Sequence, residues 1–184
     1  DDEGLTWTPS STGFQFAFAD KFFVDGSRIY VKSGYNIYYS DNDGASWDSI
    51  VRAGCPAGAG PDVIGRTGNK LLALFHSNGI FMFDSTTVSW SEITNQFNND
   101  NCNDFLIVDS TIVLAHATGI FTSDNLGATW TPTTSAAMYD ICANDSIIYG
   151  GTDGGGVWRY DLFSAPSAPG YYWVGGSGNW SDFA

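Results

Sequence analysis

The chain of 184 residues is long enough for one domain with a substantial core. Its formal net charge of −13 argues against nucleic acid and anionic membrane surfaces as partners, because both repel an acidic protein. No apolar run approaches the roughly 18 residues that would span a bilayer, so we expect no membrane insertion, and no basic, apolar leader follows Asp1, so we expect any export signal to have been removed.

Short strands are predicted along the chain, because Gly, Ser, Thr, Asn and aromatic residues are frequent and good helix formers are scarce. They recur in units of about forty residues that read strand, turn, strand, turn, strand, box, strand, where the box is a short motif ending in tryptophan. This pattern is typical of a β-propeller blade. The predicted fold class is therefore all-β, a β-propeller with four-stranded blades. Four blade units are expected, at about residues 13–53, 60–94, 102–134 and 137–163.

The box is complete in "YSDNDGASW" and "TSDNLGATW", degraded in "FDSTTVSW", and cut by the chain start in "DDEGLTW". Its tryptophans are spaced by roughly forty residues, which is the length of one blade. The matching positions are Asp2, Gly4, Thr6 and Trp7; Ser40, Asn42, Gly44, Ser46 and Trp47; Ser85, Ser89 and Trp90; and Ser123, Asn125, Gly127, Thr129 and Trp130.

The two complete boxes resemble the Asp-box, or BNR repeat, S/T-x-D/N-x-G-x-S/T-W. That repeat is found in sialidases, xyloglucan-cleaving glycosidases, sortilin-type receptors, photosystem assembly factors and many secreted bacterial propellers. The resemblance covers residues 1–163. It implies a box in the turn between the third and fourth strands, where polar side chains bind turn backbone and glycine adopts a positive φ. It also implies that the boxes are structural and lie on the face away from any active site.

No catalytic set matches the enzymes that carry this repeat. A sialidase-like site needs three arginines, a tyrosine paired with a glutamate, and an acid/base aspartate. The chain has neither an Arg-Ile-Pro motif nor a G-x-S-x-G motif, and its two glutamates lie in a box and on an outer strand. We therefore expect no enzyme, no cofactor and no metal site. A fragment of a sialidase-like or xyloglucanase-like glycoside hydrolase stays an alternative. Its catalytic residues would lie partly outside these 184 residues, and the candidate carboxylates within them are those near the innermost strands, Asp20, Asp62, Asp104 and Asp140.

The face opposite the boxes is the predicted binding face, because the turns after the second strands and the loops between blades open there. His76 and His116 both precede a matched isoleucine by the same spacing, which predicts equivalent positions in neighbouring blades. The candidate binding residues are His76, His116, Asp153, Asn98 and Asp104.

The three cysteines form no metal-binding pair. Cys55 and Cys102 lie in consecutive loops between blades, so a disulfide between them is the preferred pairing. Cys142 lies on an inner strand and is expected to be free and buried.

The fourth unit shows three strands only, and the strand at residues 4–9 is expected to complete it. Such pairing would close a ring of four, although these blades could also be part of a larger ring. Residues 164–170, "SAPSAPG", are predicted to be a linker. Residues 171–184 resemble the start of β-rich segments in large exported proteins of bacteria that use type IX secretion; packing on the propeller edge is the alternative.

The expected function is that of a non-catalytic propeller module of a secreted or cell-surface bacterial protein. Adhesion or binding of a carbohydrate or protein ligand is the favoured role, with other domains of the same polypeptide as further partners. A structural spacer in a surface assembly is the other alternative besides the glycosidase fragment.

Overall fold

The computed structural model describes residues 6–15, 18–97 and 101–162, and the backbone of residues 172–173. Its sixteen strands form four antiparallel sheets of four strands, arranged as blades of a β-propeller, which confirms the predicted fold class. Among the described residues there is no helix that could cross a membrane.

Each blade is a meander in which consecutive strands are neighbours. Blade 1 contains β1 (Lys21–Asp25), β2 (Arg28–Ser33), β3 (Asn36–Ser40) and β4 (Asp48–Ser49). Blade 2 contains β5 (Pro61–Thr67), β6 (Lys70–Phe75), β7 (Gly79–Asp84) and β8 (Ser89–Glu92). Blade 3 contains β9 (Cys102–Val108), β10 (Thr111–His116), β11 (Gly119–Ser123) and β12 (Thr131–Thr134). Blade 4 contains β13 (Asp140–Asn144), β14 (Ile147–Thr152), β15 (Gly156–Asp161) and β16 (Tyr172–Trp173).

The first two strands of every blade are joined by a two-residue turn, which aligns the four blades with one another. The first turn residue has a φ between 53° and 59° in all four. Glycine adopts this conformation freely and aspartate tolerates it, and such turns match the twist of the paired strands. These first turn residues are Gly26, Gly68, Asp109 and Asp145.

The core lies between the blades. Along β6, Leu71 and Ala73 pack in the cluster shared with blade 1, whereas Leu72 and Leu74 pack in the cluster shared with blade 3. Successive strand residues point to opposite faces, so a strand buried on both faces must be apolar throughout. A third cluster joins blades 3 and 4 through Val113 and other residues. The apolar second strands of blades 2 and 3 are therefore buried against the blades on both sides of them.

The fourth strand of blade 4 differs from the prediction. Trp158 pairs with Trp173 and Arg159 with Tyr172, so β16 takes the place expected for residues 4–9. Residues 6–10 form no strand. Their segment is instead held on blade 1, where the backbone N–H of Trp47 donates to the Thr12 carbonyl over 2.8 Å. Residues 1–5, the predicted linker at 164–170 and residues 174–184 lie outside the described residues.

The cysteine predictions are corrected by the structure. Neither Cys55 nor Cys102 forms a disulfide, so the predicted disulfide is wrong. Cys55 packs against the cluster between blades 1 and 2, whereas Cys102 is buried in the cluster between blades 2 and 3. Cys142 is free, as expected, but exposed rather than buried, because no blade among the described residues packs on the side of β13 on which it lies.

Candidate binding site

The polar side chains of the two complete boxes bind their own turn. Ser40 Oγ donates to Asn42 Oδ1 over 2.8 Å and accepts from the Gly44 N–H over 2.9 Å. Asn42 Oδ1 also accepts from the Ser46 N–H over 2.9 Å, and Asn42 Nδ2 donates to Ser46 Oγ over 2.9 Å. The box at residues 123–130 repeats these four bonds at 3.0, 2.9, 2.9 and 2.7 Å. Both boxes use their polar groups to hold the turn.

The degraded box folds in another way. Asp84, rather than Ser85, accepts a hydrogen bond from the Thr86 N–H over 2.7 Å. The Ser89 hydroxyl pairs with that of Thr87 on the surface. Asp84, one residue before the predicted Ser85, thus takes the role that serine has in the complete boxes.

The box tryptophans connect neighbouring units. Each indole Nε1 donates to a carbonyl of the segment that leads into its blade: Trp47 to Ser10, Trp90 to Val51 and Trp130 to Ile93, at 3.0, 2.9 and 3.1 Å. Trp7 is almost fully exposed, and Asp2 and Gly4 of the first box lie outside the described residues. The box end of the blades is therefore occupied by structural bonds.

A pocket of about 660 Å³ opens at the other end of the blades, between blades 1 and 2. We call this end the loop face; it carries the turns after the second strands and the loops between blades. Gly34, Gly58 and Gly60 contribute to the lining of the pocket, and Gly60 packs so closely on the Gly34 carbonyl that a side chain at Gly60 would collide with it. The side chains that line the pocket are Phe18, Asp20, Lys32, Tyr35, Asp62 and His76.

One cation and two carboxylates lie inside the pocket. Lys32 Nζ is 3.6 Å from Asp62 Oδ1 and 3.8 Å from Asp20 Oδ2. His76 Nδ1 lies 4.0 Å from Asp62 Oδ2 at the edge. The strands bring these groups together, since the Asp20 N–H donates to the Lys32 carbonyl over 3.0 Å. The pocket therefore presents both acceptors and donors for polar hydrogen bonds.

Two aromatic side chains flank these charges. Phe18 and Tyr35 are each more than half exposed although they are large and apolar. The adjoining loop is held by Arg52, whose guanidinium donates to the carbonyls of Pro56 and Ala59 over 3.1 and 2.9 Å and lies over the Tyr35 ring at 5.9 Å. The aromatic rings thus lie beside an ordered loop.

The two histidines are not equivalent, which corrects the prediction. His116 is the last residue of β10 and pairs with Gly119, as Phe75 pairs with Gly79 in blade 2. His76 is an extra residue in the longer turn of blade 2, and it is exposed at the pocket. His116 is buried, with Nδ1 2.7 Å from the Thr118 hydroxyl. The two histidines have equal spacing to the isoleucines that follow them, but the turn after the second strand is one residue longer in blade 2 than in blade 3.

Asp104 links two blades. Its Oδ2 accepts from the Ile141 N–H over 3.0 Å and its Oδ1 from the Phe105 N–H over 2.8 Å. Burial raises the pKa of Asp104 to about 6, and a hydrogen bond with the Asp140 carboxyl acts in the same direction. Asp153 lies apart, in a shallow hollow of about 450 Å³ that Asp140 also lines. Asn98 is outside the described residues. Of the predicted binding residues, only His76 lines the pocket between blades 1 and 2.

Phe18, Lys32 and Tyr35 were missed by sequence reasoning. Lys32 interrupts the apolar strand β2. The same position in the second strands of the other blades holds leucine, alanine or glycine. A charged residue at a position that is otherwise apolar is the signal in the sequence that could have indicated the pocket.

The four four-stranded blades, together with the boxes that end in tryptophan, define the chain as a β-propeller. No protein-family model matches it, and no curated protein matches it.

Among solved structures, the extracellular domain of BT4673 from B. thetaiotaomicron is 18% identical with a TM-score of 0.64, over 91% of this chain and 23% of that one. PorZ, a surface component of the type-IX secretion system of Porphyromonas gingivalis, is 16% identical with a TM-score of 0.55, over 78% and 21%. YCF48 bound to D1 peptide is 9% identical with a TM-score of 0.57, over 83% and 56%. At these identities the similarity shows the fold, and the chain spans under a quarter of the length of PorZ and BT4673.

Proposed function

We propose that this chain is a non-catalytic β-propeller module of a secreted or cell-surface bacterial protein, and that it binds a carbohydrate in the pocket between blades 1 and 2. The observation that carries this proposal is the combination of exposed aromatic rings with a lysine between two carboxylates.

A sugar matches this pocket chemically. The apolar C–H face of a pyranose packs on an aromatic ring, for which Phe18 and Tyr35 are available. Its hydroxyls donate to the carboxylates of Asp20 and Asp62 and accept from Lys32, and hydrogen bonds to charged groups are the stronger ones. The volume of about 660 Å³ is within the range of about 300–1,000 Å³ typical of small-ligand pockets.

The arrangement of carboxylates supports a binding role over glycoside hydrolysis. Paired glycosidase carboxylates lie about 5–9.5 Å apart with room for a sugar between them. Asp104 and Asp140 are hydrogen-bonded to each other, and Asp104 also binds backbone. Asp20 and Asp62 both lie close to Lys32 Nζ, at 3.8 and 3.6 Å, so each of these carboxylates is paired with the same cation.

The compartment is proposed from the fold and the boxes. BT4673 contributes an extracellular domain and PorZ is a bacterial surface component, and both contain this fold. The hydrogen bonds within the two complete boxes support their assignment as Asp-boxes, which are frequent in secreted propellers. A role in adhesion would follow if the bound sugar belonged to a cell surface.

A glycan array with the labelled chain tests the proposal, followed by calorimetry on any sugar that binds. Tyr35→Ala and Phe18→Ala should each weaken binding by about fivefold, because each removes a stacking surface worth about 1 kcal/mol. Tyr139→Ala is the matched control, since Tyr139 is equally exposed but lies in the hollow of blade 4.

Two results would contradict the proposal. Absence of binding to any glycan would favour the structural spacer. Turnover of a sialoside or xyloglucan by the chain would instead favour the glycosidase fragment.

A further inference from the structure

One side of blade 1 exposes an apolar position that packs on the preceding blade in the other three blades. Phe22 and Val24 of β1 are 62% and 61% exposed. When first strands are aligned at their shared turn, Phe22 corresponds to Ile64, Phe105 and Ile141. Phe105 and Ile141 are only 3% and 7% exposed, and Ile64 packs on the cluster between blades 1 and 2. At this position the other three side chains pack against the preceding blade.

The outer part of the same side is already covered. Phe14 packs on Tyr38 and Trp47, with ring centroids 4.6 and 5.1 Å apart. The indole of Trp47 also binds the Ser10 carbonyl. Exposure is therefore confined to the inner strand, where a neighbouring blade would make contact. We call the surface around Phe22 and Val24 the leading face.

Blade 4 exposes the opposite side. Val157 is the second residue of β15 and pairs with Gly151 of the second strand. The same position in the third strands of blades 1 to 3 is occupied by Ile37, Ile80 and Ile120. Those isoleucines are 4%, 0% and 2% exposed, and each packs in the cluster shared with the next blade, whereas Val157 is 41% exposed. We call the surface around Val157 the trailing face; the exposed Cys142 of β13 belongs to it.

These two faces are the two halves of one junction. Between blades 1 and 2, 2 and 3, and 3 and 4, a trailing face packs on a leading face, and in the described part of the chain one face of each kind is left without such a neighbour. We infer that the leading face of one chain binds the trailing face of a second copy, so that two copies close head to tail into a ring of eight blades, four from each chain.

Symmetry and charge set the properties of this contact. A head-to-tail contact uses different surfaces on the two partners, and it closes a ring when the rotation permits. Both junctions form when two copies meet about a two-fold axis. The net charge of −13 opposes association, so salt should strengthen the contact by screening repulsion while leaving apolar burial intact.

Sedimentation equilibrium over about 1–200 µM chain tests the inference. The unsubstituted chain should show twice the chain mass, more completely in high salt. Phe22→Asp and Val157→Asp should each give monomers, since each destroys both junctions of a ring of two identical chains. Both sites are exposed, so the far-UV circular dichroism should not change. Val88→Asp, at an exposed apolar position on the box turn of blade 2, should leave the mass doubled.

Mixing the two variants gives the decisive result. Phe22→Asp retains its trailing face and Val157→Asp its leading face, so one intact junction forms between them and the equimolar mixture should regain a two-chain species of reduced affinity. A side-by-side contact between like faces would give no such recovery. A monomeric unsubstituted chain throughout the range would overturn the inference and leave the faces to other blades. Masses that grow without limit would overturn ring closure.

Discussion

Removal of the Ser123 hydroxyl tests the structural role of the complete boxes. Ser123 is buried, and its Oγ accepts from the Gly127 N–H over 2.9 Å and donates to Asn125 Oδ1 over 3.0 Å. Ser123→Ala leaves the half-buried Gly127 N–H without this acceptor. Loss of a buried partner costs about 1–3 kcal/mol, so we expect the free energy of unfolding to fall by that amount.

Urea unfolding followed by tryptophan fluorescence measures this loss, with the chain concentration held constant because association changes apparent stability. Ser89→Ala provides the control. The Ser89 hydroxyl bonds to that of Thr87 at an exposed position, so its loss should cost less than about 0.5 kcal/mol. Equal losses in Ser123→Ala and Ser89→Ala would refute the structural role of the complete box.

Three further outcomes follow from backbone, carboxyl and thiol environments. Gly119→Ala should cost about 3 kcal/mol or more in urea, because Gly119 has a φ of +144° and a Cβ would collide with a carbonyl of β12, whereas Gly154→Ala has open space and should cost about 1 kcal/mol; similar losses would contradict this. The folded-state pKa of Asp104 is raised to about 6, so the contribution of Asp104 to stability is present below about pH 4 and is lost as the pH rises through 6. The difference in the free energy of unfolding between the unsubstituted chain and Asp104→Asn should therefore change between about pH 4 and about pH 6. A constant difference would contradict the raised pKa. With a thiol reagent and no reductant, exposed Cys142 should react at once. Buried Cys102, whose pKa is raised to about 12 by burial, should react only when the protein unfolds. Fewer than three reactive thiols in the unfolded protein would instead support a disulfide.

The fold could be predicted because its determinants are local. Two-residue turns with glycine or aspartate recur at one position in every blade, and the boxes mark the turn between the third and fourth strands of blades 1 to 3. The second strands are buried on both faces, so they appear in the sequence as apolar runs such as "KLLALF". Each signal is contained in a few consecutive residues, and the repeat supplies it several times.

The pocket could not be predicted because it depends on pairs that are distant in the chain. Asp62 meets Lys32 across the boundary between blades 1 and 2, and no periodic pattern records that contact. His116 shows the same limit within one blade. A single residue more in the turn after β6 moves His76 onto the surface, whereas His116 ends its strand among aromatic rings.

The proposed pocket and the proposed contact between chains lie on opposite sides of β1. Phe23 packs toward blade 2, whereas its neighbours Phe22 and Val24 face away from it, as alternation along a strand requires. The pocket is on the blade 2 side, where Lys32 meets Asp62. A ring of two chains would therefore leave both pockets open on its loop face. Phe22→Asp should abolish the two-chain species and leave the affinity of the isolated site for a sugar unchanged. If Phe22→Asp also abolished sugar binding, the two surfaces would be coupled and the assignment of sides along β1 would be wrong.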